Sequence, residues 1–273
     1  MNLLIQANEL AELIGSVKIL DVRWQLTKPD GRSDYLDSHI PTAVYVDLDH
    51  ELASHGEPTE GRHPLPSRDA LTDAARRWGL NDGDTVVIYD QRSSFGASRA
   101  WWVLSDAGIA DVRILDGGFD AWVEAELPVA HGDLVPTRGS IVLTSGLLPQ
   151  LTLQEAGVFP EKGILIDVRP GERYRGESEP LDPRPGHIPG AISIPTIGNL
   201  DERGRFLSPE LLRRRFEEAG VTPDSNIAFY CGSGITACHA MIALKQAGYD
   251  GAALYPGSWS AWSNHPELPA ELG

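Results

Sequence analysis

The chain has 273 residues, 41% of them hydrophobic and 23% charged, and a formal net charge of −16. That length suits one large domain or two of ordinary size. The acidic surplus argues against nucleic acid or an anionic membrane as the main partner, because both require a basic face.

The opening stretch MNLLIQANELAELIG lacks the basic region, long apolar core and small-residue cleavage site of a signal peptide. No uninterrupted apolar run approaches the roughly 18–20 residues needed to span a bilayer. A cytoplasmic protein with reduced thiols is therefore expected. Its only cysteines are Cys231 and Cys238. A zinc site built on paired CxxC motifs is thus unavailable. A disulfide between the two is disfavoured, since residues seven apart on a helix lie about 10 Å apart.

In chain order, VKILDVR at 17–23, AVYVDL at 43–48 and DTVVIYD at 84–90 read as short, β-branched, buried strands. Between the last two, SRDALTDAARRWGL at 67–80 has helical periodicity. The same series then returns. GILIDVR at 163–169, AISIPT at 191–196 and SNIAFYC at 225–231 predict three more strands, and SPELLRRRFEEAG at 208–220 a helix. In that helix Ser208 is placed to cap the N-terminus, Pro209 to occupy the first turn and Gly220 to end it.

The correspondence extends beyond the strands. SHIPTAVYVDL is answered by GHIPGAISIPT, and SDAGIADVRILDGGFDAW by KQAGYDGAALYPGSWSAW. Four blocks in the same order imply two homologous halves: 1–133, a Pro- and Gly-containing linker at 134–150, and 151–273. Strands alternating with helices predict a mostly parallel α/β sheet flanked by helices in each half, with ligands at the carboxyl ends of the strands.

At that end of the third strand the halves differ. The first half carries Asp90 in DQRSSFGASRA, and the second carries Cys231 in CGSGITACHA. Gly232 and Gly234 let the backbone curl so that successive amides approach one point. The helix beginning TACHAMIALKQAG presents its free N–H groups to the same place. A sulfur held there is favoured as an anion. A free cysteine can also be a mere packing residue, which is the reading kept for Cys238 inside the helix.

These segments resemble the two-domain rhodanese family of sulfurtransferases, in particular its members that use 3-mercaptopyruvate. The likeness rests on DVR, HIPGA and the Cys231 loop in the second half, with decayed counterparts in the first, including Asp90 at the Cys position. The resemblance implies an inactive first domain and a catalytic second one. Cys231 would accept a sulfane sulfur as a persulfide and pass it to a thiol such as thioredoxin, or to cyanide, with no cofactor or metal. Family members that use thiosulfate carry cations in the loop, whereas CGSGIT resembles the mercaptopyruvate pattern, so Gly232, Gly234, Ile235 and Thr236 are expected to line the donor site. Arg175 and Arg184 match the family's two substrate-binding arginines in context and spacing, leaving Arg173 as a solvated neighbour. Ser233, His63 and Asp49 match a Ser–His–Asp constellation of the mercaptopyruvate users, with His50 and His55 as competitors. His39 and His187, which begin the HIP repeats, are expected to be structural.

Three other readings compete with this one. Thiosulfate as donor would use the same chemistry. A cysteine phosphatase needs an arginine where this loop has Ala237. A non-catalytic sulfur-relay or binding module is the third alternative, because the first half has lost its thiol.

Overall fold

The computed structural model describes residues 3–273, and these form two compact units. Of these, the first comprises 3–54, 65–147 and 202–206, and the second 55–64, 148–201 and 207–273. The units are therefore not consecutive pieces of chain. The sequence division placed 55–64 in the first half and 202–206 in the second, whereas each segment packs with the other unit.

In the first unit the strands are β1 (Leu4–Ile5), β2 (Lys18–Asp21), β3 (Ala43–Tyr45), β4 (Val86–Tyr89) and β5 (Val112–Leu115). Its helices are α1 (Ala7–Leu13), α2 (Arg32–Asp37), α3 (Leu48–Glu51), α4 (Arg68–Arg77), α5 (Phe95–Asp106) and α6 (Gly118–Glu124). All its strand pairs are parallel, in the order β1-β5-β4-β2-β3. The second unit repeats the plan with β6 (Ile164–Asp167), β7 (Ile192–Ser193), β8 (Ile227–Tyr230) and β9 (Ala253–Leu254), in the parallel order β7-β6-β8-β9. Its helices are α7 (Leu153–Val158), α8 (Gly171–Tyr174), α9 (Pro209–Glu218), α10 (Thr236–Gln246) and α11 (Ser258–Ser263).

The central strands β4 and β8 are buried at every residue. That burial is why they read as continuous apolar runs rather than alternating ones. All six expected strands are present. Those not anticipated are β1, β5 and β9, two of which are only two residues long. At α9 the Ser208 hydroxyl accepts the Leu211 N–H, as the capping pattern predicts. Among the described residues no helix is long and apolar enough to cross a membrane.

The repeated DVR text has a physical meaning in both units. Asp21 and Asp167 end central strands and are fully buried, and Arg23 and Arg169 fold back onto them. The Arg23 Nη2–Asp21 Oδ2 separation is 2.9 Å, and the Arg169 Nη2–Asp167 Oδ2 separation is 2.6 Å. Each guanidinium lies over an aromatic ring, Phe119 at 4.2 Å and Trp259 at 4.8 Å. The HIP histidines follow the same logic. His39 and His187 bond through Nδ1 to the carbonyls of Tyr35 and Tyr174, both at 2.8 Å, and stack on those same tyrosines.

His239, on α10, is fully buried, with Nδ1 2.7 Å from the Thr196 hydroxyl. Burial pushes its imidazole from 6.5 down to about 3. The ring is neutral in the fold but takes a proton in the unfolded chain below 6.5, so its contribution is complete above that pH and is lost as pH falls toward 3. Asp21 and Asp90, raised by burial to about 6, act in the opposite sense over part of that range. The informative quantity is therefore the difference between wild type and His239→Gln in urea unfolding at pH 7 and pH 4.5. We expect wild type to lose more stability than the variant on acidification. Equal losses would show that His239 is not the buried base.

Candidate active site

The second unit's site is built at the carboxyl end of β8. The chain leaves the strand at Cys231, turns through Gly232–Ser233–Gly234 and enters α10 at Thr236. Gly234 has φ of +77°, a left-handed conformation that L side chains avoid. The turn brings the Gly234 N–H to 3.1 Å from Cys231 Sγ. Cys231 is 1% exposed, and Ile235, which precedes the first turn of α10, is equally buried.

The loop is fixed from a second side by α11. The N–H groups of Trp259 and Ser260 donate to the carbonyls of Cys231 and Gly232, at 2.9 and 2.8 Å. Ser258 adopts φ of +54°, rare for a residue with a Cβ. Its fully buried hydroxyl accepts the Cys231 N–H at 3.1 Å and donates to the Tyr255 carbonyl at 3.0 Å. Sequence reasoning passed over Ser258. The signal was available in the repeat, where GGF in the first half becomes GSW in the second.

Cys238 is also buried, and its thiol donates to the Gly234 carbonyl at 3.3 Å. Both cysteines are free thiols. Cys238 therefore braces the loop from inside α10.

Ser233 and His63, 170 positions apart in sequence, meet in this unit, with Ser233 Oγ 2.8 Å from His63 Nδ1. The meeting is possible because 55–64 packs with the second unit. Asp49 belongs to the first unit, on α3, where its carboxylate accepts the Trp24 indole N–H at 2.9 Å. The relay contained within the second unit is the Ser233–His63 pair. Of the competing histidines, His50 is exposed and paired with Asp47 at 3.0 Å, and His55 borders the cavity beside Arg62.

The arginines are arranged differently from the sequence expectation. Arg175 is exposed and paired with exposed Glu177 at 2.8 Å. Arg184 directs its guanidinium onto the carbonyls of Trp262, Ser263, His265 and Leu268, all within 3.0 Å, and so clamps the end of α11. Among the described residues neither guanidinium bonds the cysteine loop. Arg173, expected to be solvated, is instead largely buried, and bonds Glu179 at 2.6 Å and Asp182 at 3.0 Å. Arg62, not singled out in the sequence, pairs with the other oxygen of Asp182. A methyl group added at Gly232 would lie 3.1 Å from Arg62 Nη2 and 3.5 Å from Arg173 Nη1. Two guanidinium groups thus converge on the residue after the nucleophile. Burial holds the Asp182 carboxyl above its usual range, against the pull of both arginines. Beside Arg62 opens a cavity of about 380 Å³, bordered by His55, Leu181, Asp182 and Asn264.

The equivalent loop of the first unit is occupied by its own side chain. Asp90 accepts the N–H groups of Arg92, Ser94 and Gly96 at 3.0, 2.9 and 3.0 Å. A loop of this design is an anion cradle, filled by a fixed carboxylate in one unit and facing a thiol in the other.

A cysteine on a strand-to-helix turn, with an amide directed at its sulfur and cations one residue away, defines a thiol-dependent group-transfer site on a tandem α/β fold. The family profile of the rhodanese-like domain matches residues 6–125 and 152–265. A Mycobacterium tuberculosis protein provisionally named thiosulfate sulfurtransferase SseB is 44% identical over 99% of this chain and 97% of its own. The 3-mercaptopyruvate sulfurtransferase of Escherichia coli is 32% identical over 98% of this chain and 97% of its own. The crystal structure of Escherichia coli SseA, a 3-mercaptopyruvate sulfotransferase of the rhodanese fold, superposes with a TM-score of 0.85 at 30% identity, covering 95% of this chain and 99% of that one. The chain belongs to the rhodanese family, and it is a sulfurtransferase.

Proposed function

We propose that Cys231 takes a sulfur atom from 3-mercaptopyruvate and hands it, as a persulfide, to a thiol acceptor. The observation that carries this reading is the Gly234 N–H placed 3.1 Å from Cys231 Sγ, in a loop that contains no Lys or Arg of its own. In the first step the Cys231 thiolate attacks the donor sulfur and the donor C–S bond breaks. Its electron pair leaves on pyruvate enolate, which takes up a proton to become pyruvate. The Ser233–His63 pair is suited to polarising the donor carbonyl or delivering that proton. Arg62 and Arg173, rather than Arg175 and Arg184, are the cations suited to hold the donor carboxylate, since a guanidinium binds it through two parallel bonds.

In the second step the acceptor thiolate attacks the outer sulfur and Cys231 leaves as thiolate, stabilised by the same amide. A small thiol, cyanide or a thioredoxin-like dithiol meets this chemical requirement. The free cysteines agree with a reducing, cytoplasmic setting.

Thiosulfate is the second reading, supported by the name given to the mycobacterial relative. Intact-mass measurement after incubation with each donor separates the two. We expect the protein to gain the mass of one sulfur atom from 3-mercaptopyruvate, faster than from thiosulfate, and to lose it on addition of a thiol. A faster gain from thiosulfate would reverse the donor assignment. No gain from either would remove the persulfide.

A further inference from the structure

We propose that Asp182 and Arg62 act together as the charge filter that decides which donor anion reaches Cys231. The inference rests on the persulfide reading and deepens it.

The argument begins with how the guanidinium groups are used. Arg62 Nη1 and Arg173 Nη2 both bond the single carboxylate of Asp182, one to each oxygen. Glu179 takes a further bond from Arg173 at 2.6 Å and one from Arg169 at 3.3 Å. Arg169 is already matched by Asp167. The two arginines facing Gly232 are therefore balanced by two carboxylates, and the group as a whole is neutral. It nevertheless keeps donors in hand. Arg62 Nη2 and Arg173 Nη1 are the nitrogens nearest Gly232, and Arg62 Nε is buried without a hydrogen-bond partner among the described residues. A buried guanidinium N–H left unused is costly unless a ligand supplies an acceptor.

The backbone holds Arg62 in register with the nucleophile. Its N–H donates to the Ser260 hydroxyl at 3.1 Å, and the Ser260 N–H donates to the Gly232 carbonyl at 2.8 Å. The preceding Gly61, at φ of +91°, approaches so closely that a Cβ there would lie 2.8 Å from the Gly257 carbonyl. The position of Arg62 is thus set by the same helix that fixes the cysteine loop.

A neutral cluster with spare N–H donors suits a monoanion such as the mercaptopyruvate carboxylate, which needs hydrogen bonds more than net charge. The dianion of thiosulfate asks for one further positive charge that Asp182 cancels. Removing the Asp182 charge should therefore favour thiosulfate, and removing the Arg62 charge should disfavour it. One unit of charge beside the bound donor, partly screened, corresponds to roughly tenfold or more in selectivity.

The test compares persulfide formation from thiosulfate and from 3-mercaptopyruvate, as kcat/KM or single-turnover rate, in wild type, Asp182→Asn and Arg62→Gln. We expect the thiosulfate-to-mercaptopyruvate ratio to rise about tenfold in Asp182→Asn and to fall about tenfold in Arg62→Gln, even as absolute rates drop. A loss of packing would slow both donors alike and leave the ratio where it was. A ratio unmoved in Arg62→Gln, or moved in the same direction in both variants, overturns the filter. Should Asp182→Asn fail to fold, the Arg62→Gln ratio alone decides. Absence of any sulfur on wild-type Cys231 would instead overturn the persulfide reading itself.

Discussion

Cys231→Ser is expected to abolish sulfur transfer while leaving the fold and its melting midpoint in place. The hydroxyl is close in size to the thiol and can still accept the Gly234 N–H that now meets Sγ at 3.1 Å. The backbone contacts, the Ser258 hydroxyl on the Cys231 N–H and Trp259 on its carbonyl, are left untouched, and the remaining side-chain contact, Ser258 Oγ to Sγ, is a long one at 4.0 Å. What disappears is the only atom here able to carry a second sulfur. Cys238 is no substitute, because its thiol lies buried inside α10 and bonds the Gly234 carbonyl. The rate should fall by more than about 10³-fold, with no residual persulfide by mass. Retention of even a few per cent of the rate would mean that the sulfur travels another way.

The second large effect is on stability. Arg169→Leu should destabilise the protein by about 3–5 kcal/mol, read from urea unfolding, because it strands charge in the interior. The Arg169 side chain is 1% exposed and faces two nearly inaccessible carboxylates, Asp167 and Glu179. It also bonds the Gly186 carbonyl at 2.6 Å. Replacing Asp167 at the same time, in Asp167→Leu/Arg169→Leu, should recover part of the loss. Arg175→Leu provides the contrast, since its partner and its own guanidinium are in water and no measurable change is expected. If Arg169→Leu proved as mild as Arg175→Leu, the buried pair would not be organising the sheet end.

Much of the architecture was readable because it is local and repeated. The DVR strands, the fully buried third strands and the Ser208 cap each follow from a few adjacent residues, and finding the strands twice fixed their meaning. Cys231 was readable for the same reason, since its glycine turn is contiguous and has a counterpart to contrast with. The arginines were not. Arg173 and Arg175 lie two residues apart at the end of α8, a single turn, and the one that faces the loop is chosen by Glu179 and Asp182, acids that sequence reading treats as mere spacer. Arg184 fits the expected spacing, yet its guanidinium is drawn to four carbonyls at and just beyond the end of α11. Arg62 escaped for a further reason, that 55–64 packs with a unit whose remaining sequence begins at 148, and the Ser233–His63 contact was anticipated only through the family resemblance. No periodicity records such an exchange.

The carboxylate of Asp90, held by three amides, gives the molecule an internal standard for nuclear magnetic resonance. The amide resonances of Arg92, Ser94 and Gly96 report a notch whose occupant never leaves. Those of Gly232, Ser233 and Gly234 report one whose cargo comes and goes. Recorded on one labelled sample during turnover, the first set should stay still while the second shifts in step with sulfur loading, so drift of the instrument or of the buffer is separated from chemistry without a second protein.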